Sequence, residues 1–173
     1  MKKKFEHWLN NSLKVRPYPN LLDLANKYII GETQIIINVS DSIKPEIYST
    51  VREMGLEYFW FPMNESIFDI GLNSIYGACV VLWNAEQENK QVLVHCWGGN
   101  NRSQIIVQAY YYIRTNNHLI TEYKGCINQL IYNCEKGYLP PINKMEKFLD
   151  ELSLKFQMEL KGGELDEIKL KIK

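Results

Sequence analysis

Three short runs of β-branched and aromatic residues alternate with segments of helical spacing, and this alternation restricts the fold more than any other feature. The runs cover residues 34–39, 56–61 and 91–95. Each has the length of a buried strand, and a segment long enough for a helix follows it. Strands that alternate with helices typically form a parallel sheet covered by helices. We therefore predict an α/β domain with a central, mostly parallel sheet flanked by helices.

Helical spacing defines the segments between and after these strands. A helix is predicted over about 44–54, ending near Gly55, and another from about 69 to 87, where apolar residues form one stripe. A third begins after residue 101, and two more are predicted over 121–135 and after residue 141. In such folds ligands bind at the carboxyl ends of the strands, so a functional site is expected in the loops there.

The two ends of the chain have a different texture. Residues 1–30 mix polar and aromatic groups around Pro17 and Pro19, which favour extended and turn geometry, so no regular element is predicted there. The last residues alternate in polarity around Gly162 and Gly163, which is compatible with a hairpin or with a charged tail. We predict one domain over 1–156 and a C-terminal extension over 157–173.

Charge and composition exclude several classes of protein. The chain has 20 basic and 20 acidic residues and no formal net charge. It therefore lacks the broad positive field of most nucleic-acid binders, and any phosphate recognition is expected to be local. No apolar run approaches the roughly 18 residues that a membrane span needs. A cytoplasmic protein that binds neither nucleic acid nor membrane is expected, and the oligomeric state stays open.

The cysteines support a reducing environment. None of the four has a partner at the short spacing of a zinc cluster, and no disulfide framework is indicated. They are Cys79, Cys96, Cys126 and Cys134. We expect no metal and no cofactor.

The most informative segment runs from Val94 to Ser103 and reads VHCWGGNNRS. It predicts a strand end, a glycine-containing turn and a helix start, an arrangement in which backbone N–H groups and the helix N-terminus converge on a bound anion. The same field favours a thiolate at Cys96. Arg102 adds a planar fork that can hold two phosphate oxygens at once.

The combination of residues is far more specific than any pair within it. A cysteine and an arginine six positions apart would occur by chance in roughly one chain in ten of this composition. Adding His95, Gly99 and Ser103 lowers that expectation to roughly a few in a million.

The string His95-Cys96-x-x-Gly99-x-x-Arg102-Ser103 resembles the signature of the cysteine-dependent protein tyrosine phosphatases, in their compact dual-specificity branch. Residues 35–41 resemble that family's early strand, residues 61–66 resemble its acid-bearing loop, and the order of elements matches from about 15 to 155. The resemblance implies the protein tyrosine phosphatase-like fold. It also implies removal of phosphate from phosphotyrosine of proteins, with phosphoserine and phosphothreonine as further candidates and no metal.

The resemblance assigns roles within the signature. It makes Cys96 the nucleophile that forms a cysteinyl-phosphate, Ser103 the hydroxyl that steadies the departing thiolate, and His95 the residue that orders the loop and tunes the cysteine. Arg102 and the loop backbone would bind the phosphate; the loop residues are Trp97, Gly98, Gly99, Asn100 and Asn101. The role of Trp97 stays open: its side chain either lies at the rim of the phosphate pocket and contacts an aromatic or sugar ring, or packs inward.

The acid-bearing loop departs from the family pattern. Where the family has an aspartate about thirty residues before the cysteine, this chain has Glu65, in the segment Pro62-Met63-Asn64-Glu65-Ser66. Glutamate can act as general acid, but its extra methylene moves the carboxyl group, and misplacement of that order can cost about a hundredfold in rate. Asp69 is the fallback acid, although its position before a helix favours a capping role.

Two other functions stay open at this stage. The same chemistry could act on a phosphoinositide or on the 5′-phosphate of RNA, although relatives with such substrates often carry basic loop residues, and positions 97, 98, 100 and 101 are uncharged. Alternatively, the protein could be a catalytically weak pseudophosphatase that binds phosphorylated partners, which only the unusual acid loop supports. The expected partner is a phosphorylated protein.

Overall fold

The computed structural model describes residues 2–64, 72–115, 147 and 149–156. Within these ranges the chain forms four strands and six helices before residue 116. In chain order they are α1 (Lys2–Ser12), β1 (Leu13–Arg16), α2 (Leu21–Ala25), α3 (Lys27–Ile30), β2 (Ile35–Asn38), α4 (Pro45–Glu53), β3 (Glu57–Trp60), α5 (Leu72–Gln87), β4 (Val92–His95) and α6 (Arg102–Thr115). Residues 149–156 are also helical. No helix among the described residues has the length and apolar character to cross a bilayer.

The four strands form one parallel sheet in the order β1-β4-β2-β3. Asn38 pairs in register with His95 on one side and with Trp60 on the other, and Arg16 pairs with His95. The carboxyl ends of all four strands therefore meet at one edge. This sheet confirms the predicted α/β class.

Helices cover both faces of the sheet because its two central strands, β2 and β4, are buried on both faces. Ile35 and Ile37 of β2 belong to the larger core cluster, which includes residues of α1, α5, α6 and the 149–156 helix. Ile36 points to the other face and joins a smaller cluster with residues of α2 and α4. Two layers of helices thus hold the sheet rigidly and leave its carboxyl edge for the loops.

The first four elements were not predicted from the sequence. Residues 1–30 were expected to contain no regular structure, but α1, β1, α2 and α3 all form there. α1 presents Phe5, Trp8 and Leu9 on one stripe, all buried, and the Trp8 indole N–H donates to the carbonyl of Lys90 at 3.0 Å. The predicted strands at 34–39, 56–61 and 91–95 are confirmed.

The outcome differs among the predicted helices, because some of them lie wholly or partly outside the described residues. Those over 44–54, up to residue 87 and after residue 101 are confirmed as α4, α5 and α6. The helix predicted after residue 141 corresponds to the helical residues at 147 and 149–156. The helix predicted over 121–135 and the extension over 157–173 lie outside the described residues.

A buried ion pair joins α5 to α6. Arg114 donates from Nε and Nη2 to the two carboxylate oxygens of Glu86, at 2.9 and 2.8 Å. The Tyr110 hydroxyl donates to the same carboxylate at 2.6 Å. Because Glu86 is buried, these bonds satisfy a charge that would otherwise be costly to bury. They fix α6, whose first turn contributes to the site below.

Candidate active site

The site is the loop that connects β4 to α6. Cys96 follows the last residue of β4 directly, and Arg102 is the first residue of α6. The Cys96 side chain is 1% exposed. Its Sγ accepts a hydrogen bond from the Gly99 backbone N–H at 3.2 Å and lies 3.4 Å from the Ser103 hydroxyl oxygen. The loop therefore wraps around the sulfur.

These contacts set the ionisation of the thiol. Burial alone would raise the pKa of Cys96, but hydrogen bonds from the Ser103 hydroxyl and from the amides of Ser103, Gly99 and Asn101 outweigh it, so the pKa is lowered. Cys79 shows the opposite case, since its burial in the core raises the pKa of its thiol. Of these two free thiols in the described part of the chain, only Cys96 has the features of a nucleophile.

Arg102 reaches from α6 to two neighbouring loops. Its side chain is buried, with 3% of the residue exposed. Nη1 donates to the backbone carbonyl of Met63 at 3.0 Å and to Oδ1 of Asp41 at 3.3 Å. Met63 follows β3 and Asp41 follows β2, so the guanidinium is oriented by loops at the same edge of the sheet.

Gly99 makes the tight loop possible. Its φ is +72°, a region that other residues rarely adopt, and a Cβ there would lie 2.7 Å from backbone atoms of Arg16 and Pro17. The Gln104 side-chain amide also donates to the Gly99 carbonyl at 3.1 Å. The loop thus packs against the end of β1 so closely that only glycine fits.

Gly99→Ala is expected to lower the free energy of unfolding by at least about 1–2 kcal/mol, the cost of the left-handed conformation alone. The contact with the backbone at Arg16 adds to this, and the displaced loop should bind inorganic phosphate less tightly. Gly98→Ala is the matched control, because a Cβ there meets only the Asn100 amide nitrogen, at 3.8 Å. Thermal unfolding and phosphate titration of both variants test this; equal losses in the two would contradict it.

His95 lies behind the loop in a fully buried position. Its Nδ1 is 3.4 Å from the Cys96 carbonyl oxygen, and its ring meets the Tyr18 ring edge-to-face at 4.5 Å between centroids. Burial lowers the pKa of His95 to about 4. The imidazole is therefore neutral at physiological pH and places no positive charge beside Cys96.

The structure places the predicted residues of the signature in one loop. Gly99 and Ser103 contact the Cys96 sulfur, and His95 and Arg102 lie at the two ends of that loop. Gly98 and Asn100 are exposed on the same loop. Glu65, the predicted acid, its neighbour Ser66 and the alternative Asp69 lie outside the described residues.

Asp41 is a site residue for which the sequence predicted no role of its own, since residue 41 only ends the segment that resembles the family's early strand. Its Oδ1 accepts from the Trp97 indole N–H at 2.6 Å and from Arg102 at 3.3 Å. The bond from Trp97 is the main reason that the pKa of Asp41 is lowered, with a smaller contribution from Arg102. A usable signal was its place just after a predicted strand, where a parallel sheet gathers functional loops.

Trp97 is exposed at the rim and is held on one side. The residue is 41% exposed, so its indole is not packed inward. Its ring lies 4.9 Å from the Tyr18 ring at a tilt of 36°. The Lys44 ammonium sits over both rings, 5.0 Å from Trp97 and 4.8 Å from Tyr18.

No family model matches this chain, and no curated protein matches its sequence significantly. Solved structures do match it. A candidate phosphatase of the DUF442 group from Shewanella putrefaciens CN-32 is 17% identical at a TM-score of 0.60, over 84% of this chain and 86% of that one. DUSP15 is 17% identical at a TM-score of 0.57, over 86% of this chain and 92% of DUSP15. PTPMT1 in complex with PI(5)P is 11% identical at a TM-score of 0.58, over 85% of this chain and 93% of PTPMT1.

At these identities the likeness establishes the fold. The protein has the protein tyrosine phosphatase-like α/β fold that the signature predicted, with a parallel sheet flanked by helices. The match extends over more than four fifths of each chain, so it includes much more than the signature loop.

Proposed function

We propose that the protein hydrolyses phosphomonoesters through a covalent intermediate on Cys96, with phosphotyrosine-bearing proteins as its main substrates and phosphoserine or phosphothreonine as further ones. One observation carries the proposal: a buried thiol with a lowered pKa lies at the centre of a loop of amides and a hydroxyl, with a buried guanidinium at the end of the same loop. That arrangement suits a nucleophile attacking a dianionic phosphate.

The geometry supports a two-step reaction. In the first step Cys96 Sγ attacks phosphorus, the P–O bond to the substrate breaks, and an acid protonates the departing oxygen. Arg102 and the loop amides hold the other phosphate oxygens. In the second step water attacks phosphorus and loses a proton to the same group, the S–P bond breaks, and the Ser103 hydroxyl, 3.4 Å from Sγ, stabilises the returning thiolate.

We assign the acid role to Glu65 from its place in the sequence. Glu65→Gln should slow hydrolysis of an alkyl phosphate by about a hundredfold but that of 4-nitrophenyl phosphate much less, because nitrophenolate leaves without protonation. Comparing kcat for both substrates, with Asp69→Asn as the matched variant, tests this. Equal slowing of both substrates by the Glu65 variant would exclude it as the acid, and a selective effect of the Asp69 variant would transfer the role to Asp69.

A phosphoinositide is the second candidate substrate. The observation that favours it is the fold shared with PTPMT1, whose structure contains PI(5)P. The loop side chains at 97, 98, 100 and 101 are uncharged, which gives a multiply phosphorylated headgroup few cations to bind. For that reason a phosphoprotein is the preferred substrate.

The proposal is tested by phosphate release in the presence of a chelator from four substrates. They are a phosphotyrosine peptide, its phosphoserine counterpart, PI(5)P in vesicles and 5′-triphosphorylated RNA. Fastest release from the phosphotyrosine peptide is expected. Faster release from PI(5)P or RNA would replace the proposed substrate. Tight peptide binding with no release over hours would show a pseudophosphatase instead.

A further inference from the structure

We propose that Trp97 selects phosphate esters of aromatic rings over alkyl phosphates, and that Asp41 is the positioning residue that holds its indole for this purpose. The inference rests on the proposed function, since it assigns the substrate preference of the same site. It follows from three observations: where the indole stands, how firmly it is held, and which of its faces is open.

The indole stands beside the expected phosphate position. Trp97 is the residue after the nucleophile, and its Nε1 bonds to Asp41 Oδ1, the oxygen that also accepts from Arg102 Nη1. Both nitrogens are therefore within 3.3 Å of one atom. A phosphate held by Arg102 would therefore bring the group attached to it within reach of this ring.

The indole is held in place before any ligand binds. Three contacts fix it. The indole N–H donates to Asp41, the ring packs against the Tyr18 ring, and the Tyr18 backbone N–H donates to the Trp97 carbonyl at 2.9 Å. The backbone around Asp41 is itself fixed by Asn38, which accepts from Ser40 N at 2.8 Å and donates to the Ser42 carbonyl at 2.9 Å. An exposed side chain that is already ordered loses little entropy on binding.

Tyr18 and Lys44 do not cover both faces of the indole. The distances among the Trp97 ring, the Tyr18 ring and the Lys44 ammonium are 4.9, 4.8 and 5.0 Å. In so nearly equilateral a triangle the directions from the indole to Tyr18 and to Lys44 form an acute angle, so these two groups do not stand on opposite faces. Trp97 is 41% exposed, and we assign the side away from Tyr18 and Lys44 to a flat ring, because an alkyl chain gains much less on an aromatic surface.

The experiment compares affinities for phenyl phosphate and cyclohexyl phosphate, an alkyl ester of similar size, by calorimetry, using chains that carry Cys96→Ser so that no turnover occurs. The preference for phenyl phosphate is expected to fall roughly threefold to tenfold on adding Trp97→Ala, the range expected for loss of one aromatic pair. Met54→Ala is the matched control. Met54 is also a large exposed apolar residue, but it lies between the end of α4 and the start of β3, at the opposite edge of the sheet from the site, so the preference should not change.

Asp41 variants test the positioning role. Asp41→Asn keeps an acceptor for the indole N–H and should keep the preference, whereas Asp41→Ala should lower it nearly as far as Trp97→Ala. Any effect of these variants that acts through Arg102 changes the affinities for both ligands alike and cancels in their ratio. If Trp97→Ala leaves the ratio of the two affinities unchanged, the inference about Trp97 is overturned. If Asp41→Ala leaves that ratio unchanged, the role of Asp41 is overturned.

Failure of the proposed function is distinguishable from failure of this inference. Phosphate release that survives Cys96→Ser alone would overturn the function, whatever the affinity ratios are. Failure of the Cys96→Ser chain to bind either ligand would overturn both. Binding of both ligands with a ratio insensitive to Trp97 would overturn the inference alone.

Discussion

Replacing Cys96 with serine is expected to lower phosphate release from an aryl phosphate by roughly three orders of magnitude or more, the usual scale for loss of a covalent nucleophile. The hydrogen bonds that lower the pKa of the thiol cannot ionise a serine hydroxyl near neutral pH. The variant should still bind phosphate, because Arg102 and the loop amides are unchanged. Initial rates together with phosphate affinity measure the two effects separately.

Cys79→Ser is the matched control for this prediction. Cys79 is also a buried free thiol, but burial raises its pKa, so the variant should retain activity. In the unaltered protein, iodoacetamide near neutral pH should modify Cys96 and leave Cys79 intact, with sites mapped by mass spectrometry. Since the thiolate is the reactive form, the lowered pKa of Cys96 means that its alkylation rate reaches its plateau at a lower pH than that of an ordinary thiol. Full activity of Cys96→Ser would contradict the mechanism.

The loop around Cys96 could be predicted from the sequence because its contacts are local. Gly99 and Ser103 lie three and seven residues from the sulfur they contact, within the signature whose family resemblance implied the roles of its residues. The same holds for β2 and β4, whose β-branched runs are buried on both faces. Local patterns therefore identified the sheet and the centre of the site.

The contacts that orient Trp97 and Arg102 beside that centre could not be predicted in the same way. Asp41 contacts Trp97 and Arg102 across 56 and 61 residues, and these contacts exist only because β2 lies beside β4 in the sheet. β1 was missed for a related reason. Its four residues do alternate between apolar and basic, but so short a run just before Pro17 gives a weak signal, and its pairing with β4 makes it a strand.

Arg102→Lys is expected to lower kcat for an aryl phosphate by about a hundredfold to a thousandfold, the scale for losing one preorganised donor to a developing charge. Lysine keeps the positive charge but has no planar fork. Arg102 uses Nη1 to bond both Met63 and Asp41, and these bonds orient the rest of the guanidinium. A lysine ammonium that replaced them would have less capacity to hold two phosphate oxygens.

Arg52→Lys provides the control, since Arg52 lies exposed in the last turn of α4 and should tolerate the change. Thermal unfolding of both variants separates a loss of folding from a loss of catalysis, because a lysine at position 102 buries a charge with fewer hydrogen bonds. Wild-type rates in a folded Arg102→Lys protein would mean that charge alone suffices. The bracing by Asp41 and Met63 would then have no catalytic consequence, because it acts only through the orientation of a planar group.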